Sequence, residues 1–341
     1  MAKPHSAGGC NCPAGTHDRK PQTTALGKMA YTKGLHDLNN GCYAWLQPDG
    51  GWGWSNAGLI VDGDQSLLID TLFDVPLTAE MLKAMRDATS AADRIETLVN
   101  THSNGDHCNG NELVAGAEII ASRATSEEMP HEDPAMLADL LDNADQMGDV
   151  GAFFKKCFGG FDFRSVNRLN PTLTFEGEMT RFVGDKKVEL IQVGPAHTKG
   201  DVLVHVPQDK CVFTGDILFI EGHPIMWEGP VSNWLLACDK MLAMDVETIV
   251  PGHGPVTDKS GVRAVKYYLE YVRDEARKRF DAGQDMKSAA MEICLDDFDS
   301  WGDSERIVIN VSTLYKEFAG DDVGPSPIEL FGLMAELDKQ R

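Results

Sequence analysis

The stretch Thr101-His102-Ser103-Asn104-Gly105-Asp106-His107 places four groups able to bind a metal within six residues, directly after the apolar run Ile95-Glu96-Thr97-Leu98-Val99-Asn100. Imidazole nitrogens, amide oxygens and carboxylate oxygens are the donors that divalent cations take. A strand that ends in a glycine turn holds alternate side chains on one side. His102 and Asn104 are therefore expected to point together while Gly105 turns the backbone sharply. Asp106 and His107 then face the same point from the start of the next element. Three later stretches share this design of an apolar run followed by Gly with His, Asp or both. Val193 is followed by Gly194-Pro195-Ala196-His197-Thr198-Lys199-Gly200-Asp201, Phe213 by Thr214-Gly215-Asp216, and Val250 by Pro251-Gly252-His253-Gly254-Pro255. Either His197 or His253 alone is more readily read as a structural histidine. In this order, with His102, Asp106, His107 and Asp216, they predict four strand ends that converge at one edge of the sheets.

The elements that must carry them can be read from apolar periodicity. Cys42–Leu46, Ala57–Val61 and Ser66–Asp70 are short, apolar and bounded by turn residues, the pattern of consecutive antiparallel strands. Leu77, Met81, Leu82 and Met85 recur at helical spacing between Val75 and Thr89, and the strand ending in Val99 follows. After a further strand at Glu118–Ala121, the segment from Ser122 to Arg164 turns irregular and helical, as a lid or wall beside the site does. Strands are then predicted at Lys187–Val193, Val202–Val206, Cys211–Phe213 and Thr248–Val250. One amphipathic helix, Asn233 to Met244, carries Trp234, Leu235, Cys238, Met241 and Leu242 on one stripe. Two strand-rich halves flanked by helices imply two sheets packed face to face with helices outside. Helices at Val265–Phe280 and Met286–Cys294 extend the same domain to the C-terminus. The expected division is a flexible arm over 1–24, the main domain over 25–260 with its insert at 122–164, and a helical extension over 261–341.

From about Asn56 to His253 the ordered motifs resemble those of the metallo-β-lactamase-fold hydrolase superfamily, which includes glyoxalase II enzymes, lactonases and lactamases. The resemblance implies a mixed α/β (α+β) fold, a four-layer αββα sandwich with a two-metal site at one edge. It assigns His102, residue 104 and His197 to the first metal, Asp106, His107 and His253 to the second, and Asp216 to a bridge between them. The family usually has His where this chain has Asn104. A neutral amide oxygen suits oxygen-preferring ions better than zinc. Three states of the first site follow: weak binding through His102, His197 and Asp216, a preference for iron or manganese, or an empty site. Asn104 is also placed to orient a ligand or a water by hydrogen bonding.

The resemblance implies hydrolysis of a small ester, thioester, lactone or amide by a metal-bound hydroxide, with one or two zinc ions. Metal binding lowers the pKa of water from about 15.7 towards 7. Asp106 and Asp216 are the expected catalytic carboxylates, positioning the nucleophile, and the ion stabilises the oxyanion. No Gly-x-Ser-x-Gly elbow supports a serine mechanism. The competing readings are an iron-dependent oxidoreductase acting on a persulfide, and a binding protein whose site has decayed. Six of the seven family ligands remain, and carboxylates crowded without a cation repel one another, which argues against decay. Weaker candidates for substrate contact are Trp52 and Trp54 in a Gly-rich hairpin tip, and His223 on the loop after Asp216. Cys108 is read as a packed thiol, and His131 and His205 as ordinary residues.

Composition narrows the partners. A formal net charge of -22, from 53 acidic and 31 basic residues, repels phosphate backbones and anionic lipid. Neither nucleic acid nor membrane is an expected partner. The N-terminus lacks a signal-length apolar stretch and no apolar run spans a bilayer, so a cytoplasmic location is expected. The eight cysteines are read as reduced thiols, with Cys10-Asn11-Cys12 as the one closely spaced pair. The stripe on the helix from Asn233 and the C-terminal helices offer either core packing or a homodimer interface.

Overall fold

The computed structural model describes residues 20–340. The Cys10/Cys12 pair and most of the predicted arm lie outside the described residues. The arm's described end is not loose: Trp301 Nε1 donates to Thr23 O at 2.6 Å, and Lys20 pairs with Asp297.

The apolar runs form two sheets. In the first, β1 (Gly34–Asp37), β2 (Cys42–Leu46), β3 (Ala57–Asp62) and β4 (Gln65–Ile69) are antiparallel neighbours, and β5 (Thr97–Val99), β6 (Glu118–Ser122) and β7 (Leu173–Phe175) continue it in parallel. The second holds β8 (Glu178–Val183), β9 (Lys186–Gln192), β10 (Val202–Val206), β11 (Cys211–Phe213) and β12 (Thr248–Val250) side by side in that order, with β11 and β12 parallel. Strand alternation sends Leu67, Ile69, Val99 and Ile120 of one sheet against Val188, Leu190, Val204 and Phe213 of the other. Each such buried side chain contributes about 1.5–3 kcal/mol of transfer free energy. Gly58 lies flat under Phe213, whose ring a Cβ at that position would meet at 2.3 Å, so the sheets approach closely there.

Helices cover the outer faces. Asp74 caps α1 (Val75–Ala88) by accepting from Leu77 N, and Met81, Leu82 and Met85 bury against Leu68 and Leu98 of the first sheet. α2 (Gly105–Cys108) is a single turn after β5. The predicted lid or wall is helical: α3 (Arg123–Glu128), α4 (Pro134–Asn143) and α5 (Gly148–Phe158). On the second sheet, α6 (Val231–Ala243) packs against α7 (Lys259–Asp281), and beyond them lie α8 (Met286–Glu292), α9 (Ile307–Ala319) and α10 (Pro327–Asp338). The layers are therefore αββα, with the C-terminal helices extending the same body.

The α6 stripe turns inward. Trp234, Cys238 and Met241 are fully buried beside Val262 and Val265 of α7, so intrachain packing accounts for these side chains; Leu236, off the stripe, is the exposed one. β1, β7 and β8 were not apparent as strands, because β1 and β8 are polar edge strands and β7 is only three residues long. No helix among the described residues is long and apolar enough to cross a membrane.

Candidate metal centre

Each group at the centre is held by a turn that the local sequence dictates. β5 ends at Val99, and Asn100 Nδ2 donates to His107 O at 3.0 Å, folding the chain back so that α2 starts immediately. This one reversal brings His102, Asn104, Asp106 and His107 to the same edge. The loop carrying His197 is closed by Asp201, whose Oδ1 accepts from Thr198 N at 3.1 Å and Thr198 Oγ1 at 2.7 Å. Asp216 follows β11 in a short turn that needs Gly215 at φ +50, where a Cβ would strike Thr101 Oγ1 at 2.5 Å. His253 follows β12. Beside it, Gly252 leaves no room for a side chain, since a Cβ there would lie 2.0 Å from Asp216 Oδ1.

The four histidines share one orientation. Nδ1–H donates outward in each: from His102 to Thr101 Oγ1 at 3.0 Å, from His107 to Asp70 Oδ2 at 2.9 Å, from His197 to Ile225 O at 2.6 Å, and from His253 to Gly50 O at 3.0 Å. Such bonds fix the tautomer and leave Nε2 as the free ligand atom. All four Nε2 atoms turn towards Asp216, at 3.7 Å from His102, 3.3 Å from His197 and 3.4 Å from His253 to Oδ2, and 3.0 Å from His107 to Oδ1. Asp106 Oδ2 lies 3.2 Å from His253 Nε2 and 3.8 Å from His107 Nε2. Two clusters result, His102/His197/Asp216 and Asp106/His107/His253, each with its ligand atoms within 4.8 Å of one another.

These residues fit a bound cation. His102 Nε2 is buried without a hydrogen-bond partner, and His107 Nε2 and Asp216 Oδ1 have only each other, at 3.0 Å, a costly arrangement that a cation among them would relieve. His197 adds a sharper indication. With Nδ1–H committed to Ile225 O, the neutral ring presents a lone pair at Nε2, and Asn104 Oδ1 faces it at 2.7 Å. Two acceptors at that separation need a proton or a cation between them. Burial holds the His197 pKa down, which disfavours the proton.

Electrostatics divides the set in two. Burial, reinforced by the charge of His107, holds His102 well below the usual histidine range. Burial also works against protonation of His107 and His253, but there the carboxylates of Asp216 and Asp106 outweigh it. They raise His107 well above its ordinary value and push His253 up to about 9. Burial would raise Asp106 and Asp216, yet the surrounding histidines hold both below the usual carboxylate range. Without metal, protons on His107 and His253 balance the carboxylates, so metal binding must displace them.

Two supporting carboxylates escaped sequence reasoning. Asp70, at the end of β4, is buried; its Oδ1 accepts from Thr101 N at 2.7 Å, and its Oδ2 from Thr101 Oγ1 at 2.8 Å and from His107 Nδ1. Through Thr101 it also orients His102. Its signal was present, since Asp70 ends an apolar strand as the ligands do. Glu132, in the insert, gave no signal. Its Oε1 accepts from Asn104 Nδ2 at 2.6 Å and its Oε2 from Gly105 N at 3.1 Å, and burial pushes its carboxyl up to about 7.

A cavity of about 640 Å³ opens onto the centre, with Asn104, Asp106, His197, Asp216 and His253 at its lining. Trp52 lines it too, its Nε1 donating to Glu305 Oε1 at 2.7 Å. Trp54 and His223 do not. Trp54 packs on Phe161 at 4.7 Å between ring centres. The expected pocket-facing His223 instead turns into the core, buried against Tyr268 and Trp301 with Nδ1–H on Gly302 O at 2.8 Å, because the loop after Asp216 docks on the segment before α9. Cys108 is a buried thiol donating to Ser103 O, and His205 donates to Glu189.

Comparison with known proteins agrees with this geometry. Residues 50–253 match the family described as "Metallo-beta-lactamase superfamily". A hydroxyacylglutathione hydrolase of Maricaulis maris is 26% identical over 167 residues, covering 48% of this chain and 50% of that protein. One from Brucella anthropi is 27% identical over 198 residues, covering 57% and 59%. The chain thus spans between half and three-fifths of the length of these relatives. Among solved structures, a metallo-beta-lactamase from Pontibacter korlensis superposes with a TM-score of 0.51 at 20% identity, over 69% of this chain and 98% of that one. A stereoselective inverting sec-alkylsulfatase from Pseudomonas sp. superposes with a TM-score of 0.61 at 17% identity, over 86% and 52%. At these identities the two structures speak for the fold alone.

Proposed function

The chain belongs to the metallo-beta-lactamase superfamily, and on that premise we propose that it is a metal-dependent hydrolase of a small ester, thioester, lactone or amide. The observation that carries the reading is the common orientation of the four histidines, each Nδ1–H held outward and each Nε2 turned to Asp216. His102, His197 and Asp216 would hold one cation with Asn104 Oδ1 beside them, and Asp106, His107 and His253 a second, with Asp216 shared. Bound there, such ions supply a water of lowered pKa and a positive charge for a developing oxyanion.

The chain's own residues do the rest. Asp106 and Asp216 turn carboxylate oxygens into the junction of the two clusters, where they orient a water by accepting its protons. Ser55 Oγ donates to Asp106 O at 2.5 Å and fixes that turn. Glu132 holds the Asn104 amide, so that its oxygen rather than its nitrogen faces His197. The apolar cavity walls lower the local dielectric and so strengthen charge interactions at the floor. With Asn104 and Asp216 the first cluster mixes oxygen and nitrogen donors, which favours manganese or iron in competition with zinc more than an all-histidine set does.

Metal analysis of protein purified without added metal, combined with ester and thioester hydrolysis assays, tests the reading. It predicts one to two divalent ions per chain and loss of turnover in Asp106→Ala. Asn104→His is predicted to raise zinc occupancy of the first cluster and to lower turnover. Folded protein that takes up no zinc, manganese or iron would overturn the reading. Iron with oxygen uptake on a persulfide would replace it with an oxidoreductase.

A further inference from the structure

The cavity above the metal centre has walls that match neither a charged conjugate nor a small polar substrate. Trp52 from the hairpin tip, Leu137 and Leu140 from α4, Phe154 and Phe158 from α5 and Phe331 from α10 line it. Four elements from three separate parts of the sequence therefore join to make one apolar chamber. Phe331 lies 5.9 Å from Phe154, 6.3 Å from Phe158 and 6.0 Å from Trp52, ring centre to ring centre. The rim is apolar as well. Met136, Trp227 and Ile328 are 53%, 39% and 57% exposed, and they are three of the six large apolar side chains exposed among the described residues. Apolar surface left open around a concave site marks where an apolar ligand passes.

The charges at this cavity are arranged against anions. Glu128, Glu132 and Asp133 line it, and no lysine does so among the described residues. Its two guanidinium groups are already engaged. Arg168 donates to Met129 O and to Asn109 Oδ1 at 2.8 Å, and lies 3.9 Å from Glu132. Arg306 donates to His223 O at 3.0 Å, pairs with Asp303 at 3.0 Å and lies 4.6 Å over the Trp52 ring. A carboxylate carried at the far end of a substrate would meet these acidic side chains with no lysine and no unengaged guanidinium to receive it among the described residues; His131 is the one other basic side chain at the lining outside the metal centre, on a protein of net charge -22.

We propose that the substrate of this site is an uncharged carboxylic ester whose acyl part is a medium-length apolar chain, and that anionic conjugates such as glutathione thioesters are excluded. The proposal rests on the hydrolase reading above. The chain lies between α4, α5 and α10, and the ester carbonyl lies at the floor formed by Asp106, Asp216, His197 and His253. One water is consumed: its oxygen bonds to the acyl carbon, the carbon–oxygen bond to the alcohol breaks, one proton passes to the departing alkoxide and the other to solvent. The product is a carboxylate, which Glu128 and Asp133 at the lining repel, so the same charges that disfavour anions promote release.

Two readouts test this on the metal-loaded full chain. The first is kcat/KM for the p-nitrophenyl esters of butanoate, hexanoate and octanoate, for S-lactoylglutathione and for sec-octyl sulfate. The second is fluorescence of the uncharged probe N-phenyl-1-naphthylamine, with and without metal. We expect kcat/KM to rise about fourfold for each methylene added, the transfer value for a buried CH₂. S-Lactoylglutathione and the sulfate should be turned over far more slowly, and the probe should bind with or without metal. Leu137→Glu and Phe331→Glu, each putting a charge in the wall, should collapse the octanoate-to-butanoate ratio towards one and abolish probe binding. Esters hydrolysed with no dependence on chain length, or S-lactoylglutathione or the sulfate preferred, would overturn the substrate class while leaving a hydrolase. Probe binding lost in both variants, with no hydrolysis of any substrate, would overturn the hydrolase reading and the ester with it.

Discussion

Replacing Asp70 by Asn tests the logic of the centre without touching a ligand. Asp70 sits at φ +60, a conformation Asn tolerates better than most residues, so the substitution leaves the backbone unstrained where Ala would not. The carboxylate accepts three bonds, from Thr101 N, Thr101 Oγ1 and His107 Nδ1. An amide has one oxygen. With that oxygen on Thr101 N, its NH₂ faces two donors; turned the other way, it faces Thr101 N–H. Either orientation opposes donors, and the tautomer of His107 that presents Nε2 to the centre loses its charged anchor. His102 loosens as well, since Thr101 Oγ1 receives its Nδ1–H. Removing such a supporting partner typically weakens metal affinity by about 10–100-fold, or about 1.4–2.7 kcal/mol. Because one carboxylate supports two histidines here, the upper half of that range is expected. Competition of wild-type and variant protein against a chromophoric zinc chelator measures it directly, with the far-ultraviolet circular dichroism spectrum as a check on folding. A folded Asp70→Asn protein with wild-type zinc affinity would show that the Nδ1 bonds do not set the ligand geometry, and the reasoning from histidine orientation would fail.

Gly252→Ala is expected to weaken metal binding by about 100-fold, as large as the loss of a supporting carboxylate, because the added Cβ would sit 2.0 Å from Asp216 Oδ1 and must displace it; unchanged affinity by calorimetric titration would contradict the packing. Asp201, pushed up to about 7 by burial from 3.8, keeps a proton in the folded chain that the unfolded chain loses. Stability of the metal-free protein should therefore fall as pH rises from about 4 to 7, by on the order of 4 kcal/mol from this group. Urea titrations of Asp201→Asn should show that much less decline over the same window, and an identical decline would refute the assignment.

The centre was more legible than the rest of the chain because its ligands follow strands, and a short apolar run bounded by glycine announces itself locally. His102, Asp106, His107, His197, Asp216 and His253 are all brought together in the structure. Asp70 obeys the same rule but stands without a neighbouring Gly or His to mark it. The insert behaved differently. Its helices could be expected, but not that Glu132 would reach Asn104, since the two lie 28 positions apart and the contact depends on how the chain between them packs. The role of α10 was equally hidden. Phe331 meets Phe154 and Trp52 only in three dimensions, and nothing in the residues from 327 onward marks them as cavity wall. His223 differs from its sequence expectation for a related reason: a histidine on a loop after a ligand strand looks available until the docking of the segment around Trp301 covers it.

The ligands are divided between the sheets: His102, Asp106 and His107 belong to the first, and His197, Asp216 and His253 to the second. A cation bound across that seam acts as a clasp. By mass action it favours only the docked state, by about 2.7 kcal/mol at a free concentration a hundred times its dissociation constant. The separated halves cannot offer it the same donors. A chelator should therefore do more than silence chemistry: it should let amide protons in β5 and β11 exchange sooner, as the two sheets part along the edge that the metal had held closed.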